Sequence, residues 1–70
     1  MSNNDYIALR AKVSVANHYL EQVIKSRGKF DSYDVGKVVT RRMRPFVEVV
    51  SLDQANEDGL GIVRIKQEVA

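Results

Sequence analysis

Cysteine and tryptophan are absent from this sequence, and proline and histidine occur once each, as Pro45 and His18. Small secreted domains usually need disulfides to supplement a thin core, so a chain without cysteine points to a reducing interior and a cytoplasmic location. The same lack removes every thiolate-based zinc site, and one histidine without paired acidic spacing makes no metal centre. No metal and no cofactor are expected. No apolar run approaches the roughly 20 residues of a membrane-spanning helix, and the polar stretch Met1–Asp5 has no signal-peptide pattern. The four glycines, Gly28, Gly36, Gly59 and Gly61, form no phosphate-binding loop. Ser14 and His18 stand one helical turn apart with Glu21 nearby, but acyl transfer also needs an orienting carboxylate and oxyanion donors. A capping serine and a surface histidine are the commoner readings, and the chain is read as non-enzymatic.

What remains is a 70-residue chain, 44% hydrophobic, which suits one small domain. Its five aromatics are Tyr6, Tyr19, Phe30, Tyr33 and Phe46, so the core must be built from Val, Ile and Leu. Charge is distributed unevenly. The formal net charge is only +2, yet between Lys25 and Arg44 seven basic residues (Lys25, Arg27, Lys29, Lys37, Arg41, Arg42, Arg44) face only Asp31 and Asp34. The rest of the chain is acidic on balance. A concentrated positive field attracts phosphate better than the same charges scattered. The plainer reading is a solvated basic face that aids solubility.

Along the chain, Met1–Asp5 reads as a flexible tail and residues 6–70 as a single domain. Ile7, Leu9, Ala11, Val13 and Val15 alternate with polar or small residues, the period of a half-buried strand. Leu9, Val13, Ala16, Leu20 and Val23 equally mark one helical stripe. The reading preferred on this pattern is a strand over Tyr6–Lys12 with a helix from Ser14; one long helix from Asp5 to Arg27 is the alternative. Gly28 suits a helix end. Asp31-Ser32-Tyr33-Asp34 then looks like a capped helix start, with Val35, Val38, Val39 and Met43 on one face and Arg41, Arg42 and Arg44 in the last turn before Pro45. A strand over Val35–Thr40 is the alternative there. Phe46–Leu52 and Ile62–Val69 read as strands paired in a C-terminal antiparallel hairpin, joined by a polar connection, Asp53–Gly59. Phe46 is assigned to the core. Tyr19 and Tyr33 are assigned to packing ahead of base stacking. The expected class is α+β: a compact two-layer domain whose small sheet ends in that hairpin and is packed by one or two helices.

Val23-Ile-Lys-Ser-Arg-Gly-Lys29 resembles the "V-I-K-A-R-G-R" strand-and-turn motif of the Alba family of chromatin and RNA-binding proteins. Ser32, Val35, Val38, Arg42 and Arg44 fall where that family has its serine, helix valines and terminal arginines. Val47-Glu-Val49 resembles its "I-E-I" strand, and Ile62–Lys66 its final strand. Lys12-Val-Ser-Val-Ala-Asn17 is similar to its "K-K-P-V-M-N" loop, although Asn17 and Val23 are only six positions apart, where the family has a whole helix. The resemblance implies a homodimer that binds DNA or RNA with little sequence preference. It places Lys12 in a phosphate-binding loop, Arg27 and Lys29 in the basic turn, and Arg64 and Lys66 on a hairpin reaching along the duplex.

The sequence thus nominates Lys12, Lys25, Arg27, Lys29, Arg41, Arg42, Arg44, Arg64 and Lys66 as nucleic-acid contacts. Each basic cluster also has a simpler account, since cations at a helix C-terminus suit the helix dipole. The rival function is a small protein–protein module, of the phage- or plasmid-type inhibitor kind, that engages an acidic partner surface or adds a strand to another sheet.

Overall fold

Ser2 opens the fold by capping a 25-residue helix, α1 (Asn3–Arg27), its side-chain oxygen accepting from the Asp5 N–H at 3.2 Å. The computed structural model describes residues 2–66, and over them the order continues with α2 (Ser32–Val38), β1 (Val47–Val49), α3 (Leu52–Asp58) and β2 (Val63–Ile65). This is an α+β domain of three helices and a two-stranded antiparallel hairpin.

One continuous α1 replaces the strand expected over Tyr6–Lys12, and Asn3–Asp5 forms its first turn rather than a tail. The period-two alternation is coincidental. Helix formation buries Leu9 but leaves Ile7 64% and Val15 66% exposed, whereas the stripe Leu9, Ala16, Leu20 and Val23 is buried throughout. Helix-favouring residues at Ala8, Leu9, Arg10, Ala11 and Lys12 add local preference in the same direction. Gly28 ends the helix at φ 85°, donating its N–H to the Ile24 carbonyl at 2.7 Å, a left-handed cap that glycine adopts without strain. Val23–Arg27 is therefore the close of a helix. The strand and turn that the resemblance assigns to Val23–Lys29 do not form.

At α2, Asp31 and Asp34 each accept the other's backbone N–H at 3.1 Å, a reciprocal capping box. The helix stops at Val38, short of the expected Arg44, where a β-branched run (Val38, Val39, Thr40) follows the helix-weakening Gly36. Thr40–Phe46 instead folds into successive turns, with Met43 donating to the Thr40 carbonyl at 3.0 Å and Phe46 donating to the Met43 carbonyl at 2.9 Å.

The expected hairpin is present, pairing Val47 with Ile65, Glu48 with Arg64 and Val49 with Val63. Its strands are shorter than Phe46–Leu52 and Ile62–Val69; residues 67–70 lie outside the described residues. The polar connection Asp53–Gly59 is mostly helix. Ser51 caps α3 by accepting from the Gln54 N–H at 3.1 Å, and Ala55 is buried.

Leu9, Ala16, Leu20, Val39, Met43, Val47, Ala55, Ile62 and Val63 form the core, with Leu20 and Val63 fully enclosed. Contrary to expectation, Phe46 is 43% exposed. The hairpin is fixed to α1 by a polar clamp. The Asn17 side-chain oxygen accepts from the Ile62 and Val63 N–H groups, and its amide donates to the Val63 carbonyl, each at 2.9 Å. Gly61, at φ 97°, lets the chain pass beside Asn17; a Cβ there would lie 3.1 Å from the Asn17 amide nitrogen.

Asn17→Ala strands three backbone groups of the buried Ile62 and Val63 and should lower stability by roughly 3 kcal/mol, read as a fall in urea midpoint with unchanged slope. An unchanged midpoint means that water replaces the clamp at no loss. Gly61→Ala should lower stability by about 1–2 kcal/mol through its left-handed backbone alone, and by more if Asn17 is displaced.

Candidate nucleic-acid interface

The basic run of the sequence does not form one patch. Lys25 and Arg27 end α1, and Lys29 follows in the linker to α2; Arg41, Arg42 and Arg44 lie in the Thr40–Phe46 turns. Lys12 stands on α1, 13 residues before Lys25, so about 20 Å of helix separates those two positions. The turns bring Arg42 back to Lys12. Both line a cavity of about 330 Å³ with Leu9, Met43 and Phe46, where Asp5 is the one acid against the two cations. Lys66 donates its backbone N–H to the Phe46 carbonyl at 2.8 Å, which sets the end of the hairpin beside these turns. Lys12 and Arg42 thus share one cavity, and Arg41, Arg44 and Lys66, also exposed, lie on the adjoining turns and at the end of the hairpin.

Two of the nominated cations are engaged elsewhere. Arg27 pairs with Asp34, whose side chain is only 4% exposed, and so ties the end of α1 to the start of α2. Arg64 pairs with Asp58 at 2.9 Å and donates to the Gly61 carbonyl at 3.0 Å, joining β2 to the end of α3. Its remaining terminal nitrogen is buried and has no hydrogen-bond partner among the described residues. Among the described residues these are the two ion pairs, so Lys12, Arg41, Arg42, Arg44 and Lys66 keep their charge free. Lys25 lines a separate depression with Leu52 and Asn56.

Other surfaces fit a polyanion less well. The larger groove between α1 and the hairpin, about 810 Å³, sets Arg10 and Arg64 against Glu21 and Glu48, so its charges offset one another. His18 and Ser14 also line it. Tyr33 is exposed and carries the Lys37 ammonium 4.7 Å from its ring centre, while Tyr19 packs against the core. The charge on an ionised Tyr19 phenol, and then that on Tyr33, raises the Lys37 ammonium above its ordinary value. Among the described residues no three His, Asp or Glu side chains gather as a metal site, and no helix is long and apolar enough to cross a membrane.

Two acids have altered titration. Burial alone pushes the Asp34 carboxyl up, but the Asp31 N–H, the Arg27 guanidinium and the link to Asp31 together hold it below its ordinary value. The Gln54 amide and then Arg64 hold Asp58 low, against a smaller effect of burial.

Comparison with protein-family models, with curated proteins and with solved structures found no match. The candidate site therefore rests on the geometry of this chain alone.

Three features are weakly marked in the sequence. Asn17 falls in the loop of the Alba resemblance, yet a polar residue on the flank of an apolar helical stripe is the mark of a group that docks something. Asp34 belongs to a capped helix start, and no local pattern shows it as the buried partner of Arg27. Phe46 follows Arg-Pro, a context that suits a surface as well as a core.

The lowered carboxyls predict an acid limb of stability. A carboxyl held low in the folded state adds stability that is complete above its unfolded value, near 4, and is lost as pH falls through the folded value. Urea midpoints should be flat above about pH 5 and drop below pH 4. Asp34→Asn should be less stable at neutral pH and show a shallower acid limb. An identical limb in wild type and variant would mean that the Arg27–Asp34 pair does not govern it.

Proposed function

We propose that this protein is a non-enzymatic domain that binds nucleic acid through its phosphate backbone, on the face where Lys12 of α1 meets the Arg41–Arg44 turns and Lys66. The observation that carries this reading is the convergence of Lys12 and Arg42, thirty positions apart in sequence, on one cavity, with neighbouring cations that have no ion-pair partner among the described residues. Exposed cations with no internal partner are available to phosphates. Each phosphate they neutralise releases condensed counterions, which drives binding at low salt and makes affinity fall as salt rises. Such contacts fix where the protein sits but carry little base information. Arg27 and Arg64 support the fold first, since the acids they pair with would lose their counter-charge on any handover to phosphate.

The reading is tested by titrating the protein with a short DNA duplex and a short RNA at two salt concentrations. Binding should weaken steeply with salt. Lys12→Glu and Arg42→Glu should each weaken binding to all sequences alike and lower the salt slope by about one. Lys25→Glu, on the separate depression, should change it little. Arg27 is unsuitable for such a test because its reversal breaks the Asp34 pair. Absence of binding at low salt sinks the proposal. Polyglutamate that displaces nucleic acid with equal affinity reassigns the face to an acidic protein partner.

A further inference from the structure

Resting on that reading, we infer that the face takes single strands, with one unstacked base seated against Phe46 between Lys12 and Arg42. Phe46 leaves part of its ring exposed at this cavity, while its neighbours Met43 and Val47 are almost completely buried. Phe46, Leu9, Met43 and Ala8 supply the apolar part of the 330 Å³ cavity, and Asp5, Lys12 and Arg42 supply its charges. That volume lies at the small end of ligand clefts, which begin near roughly 300 Å³.

A nucleobase matches this combination. Its π-face stacks on an aromatic ring irrespective of sequence, while its flanking phosphates meet cations. In a duplex the base faces are stacked on one another, and exposing one requires unstacking and unpairing first. A slot built around one aromatic ring with cations beside it therefore favours a strand whose bases are already free. Asp5 adds a discrimination. A carboxylate only accepts hydrogen bonds, so it suits the exocyclic amines of adenine, cytosine and guanine, whereas uracil has no amine and offers only its ring N3–H between two carbonyls. An acidic peptide would set a second carboxylate against Asp5, which is why a base fits this slot better than a glutamate-rich segment.

The experiment measures wild type, Phe46→Ala, Phe46→Leu, Phe46→Tyr and Asp5→Asn against short oligo-A, oligo-C and oligo-U RNAs and an A·U duplex, after thermal melts confirm folding. Wild type should prefer single strands to duplex, and oligo-A and oligo-C to oligo-U. Phe46→Ala should weaken single-strand binding roughly five- to a hundredfold, the range for loss of one stacked base. Phe46→Leu keeps apolar bulk without a ring and should also weaken it; Phe46→Tyr should retain it. Asp5→Asn should narrow the difference between oligo-A and oligo-U. Salt-dependent binding that is equal for duplex and single strand, or unaffected by Phe46→Leu, overturns the base slot and leaves backbone binding standing. Failure to bind any of these nucleic acids at low salt removes both.

Discussion

Asn17 is the joint on which the arrangement of this domain depends. A two-stranded hairpin is marginal in water unless it packs against another element, and three-residue strands offer little pairing of their own. The Val63 N–H and C=O point away from β1, and the Asn17 amide meets both while also accepting from Ile62. One side chain thus serves as a short substitute for a third strand, and it holds β2 against the buried stripe of α1. Asparagine is a poor helix former, but a buried polar group left unpaired costs about 1–3 kcal/mol, so the clamp outweighs the propensity. Because the hairpin is fixed to α1, the Thr40–Phe46 turns that lead into it are fixed as well, and Lys12 and Arg42 come to line one cavity.

The charges divide by the same logic. Arg27 and Arg64 connect consecutive elements at their ends, each through an acid brought close by a helix terminus. The cations with no such neighbour lie on the turns, on the middle of α1 and at the end of the hairpin. What separates a structural cation from an available one is therefore the position of the nearest acid in the fold, which a local charge count along the chain does not contain.

Much of the fold was legible because its signals are local. Gly28 ends α1, Asp31 and Asp34 form a capping box, and the Val47–Val49 and Val63–Ile65 strands pair as antiparallel neighbours. The failures come from patterns that two structures share. Ile7 to Val15 satisfies both periods, and only the partners of Leu9 and Ala16 in the folded state decide between them. The connection Asp53–Gly59 looked polar because a seven-residue helix with a single buried residue, Ala55, has almost no apolar face to show. Its Ser51-x-x-Gln54 spacing was the readable sign. For the candidate site, the sequence shows where the cations stand along the chain but not which of them meet, since Lys12 joins Arg42 only through long-range packing.

The sequence separation of the two kinds of contact orders the assembly of the domain. Arg27 and Asp34 are 7 residues apart, whereas Asn17 and Val63 are 46 apart. Loop-closure entropy makes the longer connection harder to close by roughly 1.5–2 kcal/mol. The α1–α2 corner can form from nearby residues alone, while docking of the hairpin on α1 must bring together distant segments. The cationic face, which needs α1, the turns and the hairpin together, is complete only at the end of that sequence. A partly folded chain carries the same residues and the same net charge, but not the site.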